Sequence, residues 1–228
     1  MQVNPTRRKF VKSVGLTLKM SLVLFLGIVA LAWTRQWRTA SIWSDYPVNA
    51  DNVFVGLYIL WLLVETPVAG RDADSEGKKT SDSATCLVYG TAQALTFLSA
   101  LWFPSVWHSP NIAHFFGMGL FAAGGCCRLW AIRTLGKFYS HLVRTIPRHT
   151  IVDSGPYRFV RHPAYAGMLI ANAGICIAFL NAVTLCIFLF ALVPAILLRI
   201  RIEERVLFAI EGYSHFAQNR KRLFPGIW

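Results

Sequence analysis

The sequence predicts an all-α integral membrane bundle of about six transmembrane helices, with five as the alternative count. Three observations lead there. The 228 residues are 55% hydrophobic and only 15% charged, whereas a soluble domain carries about 25% charged residues. Six apolar segments punctuate the chain, roughly 14–33, 53–69, 86–107, 112–132, 165–180 and 183–198. Basic residues gather between alternate segments, as in chains whose cytosolic loops are positively charged.

The first, third and fourth segments reach the roughly 20 residues that a helix needs to cross the hydrocarbon layer. The second is slightly short. The last two are shorter still, with only Asn181 and Ala182 between them, which predicts a helical hairpin that does not have to reach the far surface. Arg7, Arg8, Lys9 and Lys12 precede the first segment. The stretch 133–164 holds Arg133, Lys137, Arg144, Arg148, Arg158 and Arg161 against Asp153. After residue 198, six arginines and lysines outnumber Glu203, Glu204 and Glu211. An even number of spans places both termini and 133–164 in the cytosol. Lys19 interrupts the first segment and Ala30-Leu31-Ala32 resembles a signal cleavage site, but an uncleaved first helix fits the charges better. The polar stretch 70–85 reads as a cytosolic linker rich in turn formers.

A net charge of +12 fits either nucleic acid or an anionic membrane. The apolar runs select the membrane, so the bilayer is the expected partner and nucleic acid is not. The five cysteines, Cys86, Cys126, Cys127, Cys176 and Cys186, all lie in apolar runs without metal-ligand spacing. They read as small buried hydrophobes, and no metal site is expected. Gly117, Gly119, Gly124 and Gly125 in the fourth segment have no preceding strand and the wrong spacing for a dinucleotide loop. Small residues of this kind let transmembrane helices pack closely.

Two stretches carry chemistry-bearing residues. Residues 149–167, HTIVDSGPYRFVRHPAYAG, combine turn formers, aromatics, two histidines and two arginines at a membrane boundary. Gly155-Pro156 predicts a turn, and Pro163 suits the first position of a helix. That helix start presents free N–H groups and a partial positive charge. Interface anchoring without chemistry is the alternative reading. The second stretch, Arg199-Ile-Arg-Ile-Glu203-Glu204, lies where the sixth span ends. Arg199 and Glu203, four apart, share a helix face, and Glu204 points elsewhere. A plain interfacial ion pair and a functional pair are both open.

GPYRFVRHPAYAG (155–167), RIRIEERVL (199–207) and EGYSHFAQNRKRLFPGIW (211–228) resemble the isoprenylcysteine carboxyl methyltransferase family. Membrane phospholipid methyltransferases carry a weaker form of the pattern. The resemblance begins at RLWAIRTLGKFYS (128–140) and covers about 128–228, which implies a methyltransferase core at 128–228. Residues 1–127 would then be N-terminal transmembrane helices and a cytosolic linker. Ile151 replaces the family's usual leucine, and the N-terminal half matches weakly.

The resemblance implies S-adenosylmethionine bound at the cytosolic edge of the bundle by His149, Thr150, Ile151, Val152, Tyr157, His162, Pro163, Ala164, Tyr165 and Glu203. It implies Arg199 as the catalytic residue that meets the substrate. The implied activity moves a methyl group to the carboxylate of a prenylated cysteine or another lipidic substrate. A phospholipid N-methyltransferase or a small-thiol methyltransferase on the same scaffold is the alternative. A non-catalytic lipid-binding scaffold and a sterol reductase stand further off. The implied location is a multi-pass membrane position with the site facing the cytosol, in the endoplasmic reticulum of a eukaryote or the inner membrane of a bacterium. The sequence leaves the oligomeric state open.

Overall fold

The computed structural model describes residues 50–74, 78–79, 83–107, 111–139, 144–145, 151–226 and 228. The first apolar segment, 14–33, lies outside the described residues. The chain divides into two compact units, Met1–Glu76 and Gly77–Trp228. In the first unit, helix α1 spans Ala50–Asp74. Along it Tyr58 and Trp61 meet edge to face at 6.1 Å, and Trp61 Nε1 donates to Glu65.

The second unit is built from α2 (Ser83–Trp102), α3 (Ile112–Leu135), α4 (Pro163–Ala178), α5 (Ala182–Leu207) and the short α6 (Tyr213–Gln218). A two-residue antiparallel pair, β1 (Lys78–Lys79) with β2 (Arg144–Thr145), ties the linker before α2 to the segment after α3. Among the described residues, three helices are long and apolar enough to cross a membrane: 84–102 within α2, then α3 and α5. The fold is therefore the all-helical membrane bundle that the composition predicts. Leu87, Val88, Leu95, Phe115, Phe116 and Phe190 are exposed on these helices. So much apolar surface suits lipid, not water.

Two of the helices begin at a side-chain cap. The Asn111 side chain accepts from His114 N at 3.1 Å to start α3, and Asn181 does the same for Thr184 N at 2.8 Å to start α5. Pro163 occupies the first turn of α4, as expected. The hairpin of α4 and α5 is present, but its second arm differs from the sequence reading. The sixth segment does not end near residue 198; the helix continues to Leu207, over 26 residues. The first arm has 16 residues, about 24 Å at 1.5 Å per residue, against about 39 Å for the second. A π turn at Phe188–Leu192 lets α5 continue through Pro194, which has no N–H to offer the carbonyl four residues back. The hairpin turn is held by the segment that follows α2: Trp107 Nε1 donates to Ile177 O (2.9 Å) and Val106 N to Leu180 O (2.8 Å).

Helices α3 and α4 touch backbone to backbone. Gly117 and Gly124 face Gly174 and Gly167, and both pairs are spaced by two helical turns. A Cβ at Gly124 would lie 2.4 Å from Ala171 N and 2.5 Å from Gly167 O. The packing reading thus holds for Gly117 and Gly124. Gly119 and Gly125 face open space instead, because they lie on other sides of the same helix. The cysteine reading also needs correction. Cys176 is buried, but Cys126 and Cys186 are exposed and Cys86 and Cys127 only partly covered. An apolar run in a membrane helix has a lipid face as well as a core face, and residue type alone does not say which one a side chain occupies.

Candidate active site

The end of the bundle opposite the hairpin turn gathers the start of α4, the end of α5 and the tail. The segment before α4 turns at Gly155, which takes φ +57° and opens the 3₁₀ turn Gly155–Arg158. A side chain there would be strained by that φ and would press on Thr134. The chain then runs beside the tail: Arg161 N donates to Lys221 O and His162 N to Arg222 O, both at 2.9 Å.

Glu204 locks this arrangement. It is 3% exposed. Its Oε1 accepts from Arg161 at 2.6 Å and lies 3.4 Å from His162 Nε2, while Oε2 accepts from Arg222 Nε at 2.7 Å. Arg222 also stacks on the Trp228 ring at 4.6 Å. The carboxylate therefore joins α5, the loop before α4 and the tail through charge-assisted bonds, which are the stronger kind.

One position earlier, Glu203 points elsewhere, as the helical spacing requires. Its Oε2 accepts from the Tyr165 hydroxyl at 2.9 Å, and that hydroxyl accepts from Arg199 Nε at 3.4 Å. Arg199 is 1% exposed, and its Nη1 donates to Thr85 Oγ1 of α2 at 2.8 Å. The pair that shares a face of α5 is thus joined through a tyrosine of α4. Around it stand the aromatic rings of Tyr89, edge to face with Tyr165 at 6.3 Å, and of His162, tilted against Tyr165 at 5.9 Å.

The other sequence-named residues sit on the same side. Tyr157 is buried, with Tyr139, Glu203, Arg128 and Cys127 as electrostatic neighbours. Burial raises its hydroxyl pKa well above the ordinary value, reinforced by Tyr139 and Glu203. Ile151 packs against the cluster of Tyr157, Ala164, Tyr213 and Phe216. Val152 is partly buried, and Pro163 is buried with its carbonyl 3.8 Å from Cys127 Sγ. Arg128 Nη1 donates to Ala164 O at 3.3 Å. His149 and Thr150 lie outside the described residues.

Several participants escape a motif-based reading. Arg128 is a charged residue inside a predicted span, and such residues are rarely idle. Here it is 1% exposed. Thr85 and Tyr89 had none, because their roles depend on which helices become neighbours. Tyr139, Arg161 and Arg222 lie within the family-like blocks, but nothing in the sequence pairs the two arginines with Glu204. Tyr213 lies beside Arg161, although neither Tyr213 Oη nor Arg161 Nε completes a hydrogen bond of its own. Burial, with Glu204 and Glu203 next in order, raises the Tyr213 pKa.

A sequence model described as the isoprenylcysteine carboxyl methyltransferase (ICMT) family matches residues 117–209, from the first glycine of the α3–α4 seam to just beyond Glu204. A Saccharomyces cerevisiae protein-S-isoprenylcysteine O-methyltransferase is 37% identical over 114 residues, covering 49% of this chain and 47% of the yeast protein. A probable protein-S-isoprenylcysteine O-methyltransferase of Oryza sativa subsp. indica is 30% identical over 141 residues, 59% of this chain and 69% of the rice protein. The chain spans about half the length of its more identical curated relatives. A solved structure titled as the eukaryotic intramembrane Ras methyltransferase ICMT aligns with a TM-score of 0.56 at 17% identity, covering 99% of each chain, and so shares the fold. On the combined match of motif, extent and fold, this chain belongs to the isoprenylcysteine carboxyl methyltransferase family.

Proposed function

We propose that this chain transfers a methyl group from S-adenosylmethionine to the carboxylate of a prenylated cysteine. The observation that carries this reading is the chain of contacts from Arg199 through the Tyr165 hydroxyl to Glu203, which puts one cation and one carboxylate on either side of a partly buried tyrosine. The reading extends to a methyltransferase core at 128–228, placed at the cytosolic edge of the membrane. That membrane would be the endoplasmic reticulum in a eukaryote or the inner membrane in a bacterium.

The donor set suits a cationic cofactor. Tyr157 and Tyr165 offer aromatic faces beside Glu203, and aromatic faces attract a sulfonium as they do other cations. The loop at 149–152, Tyr157, the run 162–165 and Glu203 would hold S-adenosylmethionine. When bound, it supplies an electrophilic methyl group. Glu203 offers its remaining lone pairs to an ammonium or to hydroxyls.

Arg199 serves the acceptor. Its planar fork matches a carboxylate, and its position is fixed by the Thr85 and Tyr165 contacts. A carboxylate is already ionised near pH 7, so the site needs no general base. Tyr89 and Tyr157 are buried and Tyr165 is partly buried beside Arg199, and low-polarity surroundings of this kind strengthen the hold of Arg199 on an anionic acceptor. Much of the remaining acceleration would come from positioning.

The test is methyl transfer by purified protein to three acceptors: a prenylcysteine acid, a phospholipid amine and a simple thiol. Label in the first alone, released by mild base as expected for a methyl ester, supports the reading. Label in the amine or the thiol replaces it with the corresponding alternative.

A further inference from the structure

The proposed site draws on α4 and α5, yet the Arg199 guanidinium is also held by α2. We propose that Thr85 is a positioning residue for the methyl acceptor, fixing the Arg199 fork so that it receives a carboxylate. The inference rests on the methyl-transfer reading above.

Arg199 leaves α5 on a long stem with many rotamers. Two of its nitrogens are pinned by two other helices: Nε by the Tyr165 hydroxyl of α4 at 3.4 Å, and Nη1 by Thr85 Oγ1 of α2 at 2.8 Å. Two contacts at different nitrogens of a planar group set its plane as well as its place. The shorter contact is the one from α2. Thr85 is β-branched, so its χ1 is restricted and its hydroxyl is held in one direction. Tyr89 lies four residues on, along the same face of α2, and its ring meets Tyr165 edge to face at 6.3 Å. Thr85 therefore grips the arginine while Tyr89 braces the tyrosine to which the arginine is bonded.

This has a consequence for specificity. Helix α2 precedes the family-matched stretch 117–209. The cofactor-side residues named above all lie within that stretch, whereas the α2 contact to the acceptor-side arginine comes from outside it. Acceptor recognition is then tuned by a helix that the family motif does not include, and substitutions in α2 alter acceptor use while leaving cofactor use in place.

The experiment measures steady-state methyl transfer to a prenylcysteine acid, varying acceptor and S-adenosylmethionine separately. The proteins are wild type, Thr85→Val, Thr85→Ser, Arg199→Ala and Thr85→Val/Arg199→Ala. Melting temperature in detergent is recorded for each. Val keeps the shape of Thr and removes the hydroxyl; Ser keeps the hydroxyl. The expected result is an acceptor KM about tenfold higher in Thr85→Val, the usual order for losing a hydrogen bond to a charged group. The cofactor KM stays within twofold, Thr85→Ser recovers most of the loss, and, in direct titration of the prenylcysteine acid, adding Thr85→Val to Arg199→Ala weakens acceptor binding no further. Wild-type kinetics in Thr85→Val, together with loss of activity in Arg199→Ala, would overturn this inference and leave the methyl-transfer reading standing. Equal loss of acceptor and cofactor affinity, or no recovery in Thr85→Ser, would also overturn it. Wild-type protein that methylates no prenylcysteine acid would overturn both.

Discussion

Replacing Gly124 by alanine probes the seam on which the site is built. The added Cβ would lie 2.4 Å from Ala171 N, 2.5 Å from Gly167 O and 2.9 Å from Ala171 Cα, all of them backbone atoms that cannot swing aside. Ordinary contact begins at 3.4 Å, so α3 and α4 must part by about 1 Å locally. Overpacking of this kind costs roughly 1–3 kcal/mol. Gly125 is the internal control, since a Cβ there meets nothing within 4 Å. Gly to Ala inside a helix gains about 0.5–1 kcal/mol, a term common to both positions, so the two variants, one residue apart, should differ by the overpacking cost of roughly 1–3 kcal/mol. Tryptophan fluorescence of detergent-solubilised protein during a thermal ramp reads this out. Gly124→Ala should melt below wild type and Gly125→Ala at or above it. The seam also aligns Arg128 of α3 with the Ala164 carbonyl, so Gly124→Ala should lower activity beyond its loss of folded protein. Equal melting of the two variants would refute the backbone contact.

Three further outcomes follow from the geometry. Glu204→Gln removes the charge that compensates Arg161 and Arg222. It should cost about 3 kcal/mol, somewhat less for the share owed to the partly exposed Arg222, and limited proteolysis should then release the tail first. Tyr165→Phe removes the hydroxyl between Arg199 and Glu203 and should lower kcat/KM by about ten- to a hundredfold, with melting much less affected. Tyr157 and Tyr213 have hydroxyl pKa values raised in the folded state, chiefly by burial. A raised folded pKa means that the neutral form is the one the fold favours. Their contribution is therefore complete below the unfolded tyrosine pKa of about 10 and is lost as pH climbs toward the folded values. Stability measured against pH should fall on the alkaline side, and the fall should be smaller in the Tyr157→Phe/Tyr213→Phe double variant.

The parts of this architecture that were legible in the sequence are those written locally. Pro163 announces a helix start, and Asn181 a turn, because both act within a few residues. The hairpin was visible in the two apolar runs flanking Asn181. The opposed directions of Glu203 and Glu204 follow from 100° per residue alone. The length of α5 was not legible, because the charges at Arg199, Arg201, Glu203 and Glu204 ended the apolar run while the backbone stayed helical to Leu207. Two of those charged groups are buried against partners from other elements, and hydropathy does not register such partners. Distances were equally hidden. The sequence puts Arg199 and Glu203 on one face, but the tyrosine between them comes from α4 and the threonine behind them from α2. Gly117 and Gly124 looked no different from Gly119 and Gly125 until α4 was laid against one face of α3. The glycines opposite, Gly167 and Gly174, share the seven-residue spacing that would have marked the seam.

The division of labour within the site is its central claim, and calorimetric titration of S-adenosylmethionine into purified wild type, Arg199→Ala and Glu203→Gln tests it most directly. The account predicts that Arg199→Ala binds within about threefold of wild type while failing to methylate a prenylcysteine acid. It predicts that Glu203→Gln binds at least tenfold more weakly, the usual order for a lost charge-assisted contact. Unchanged binding in Glu203→Gln, or equal loss in both variants, would contradict it.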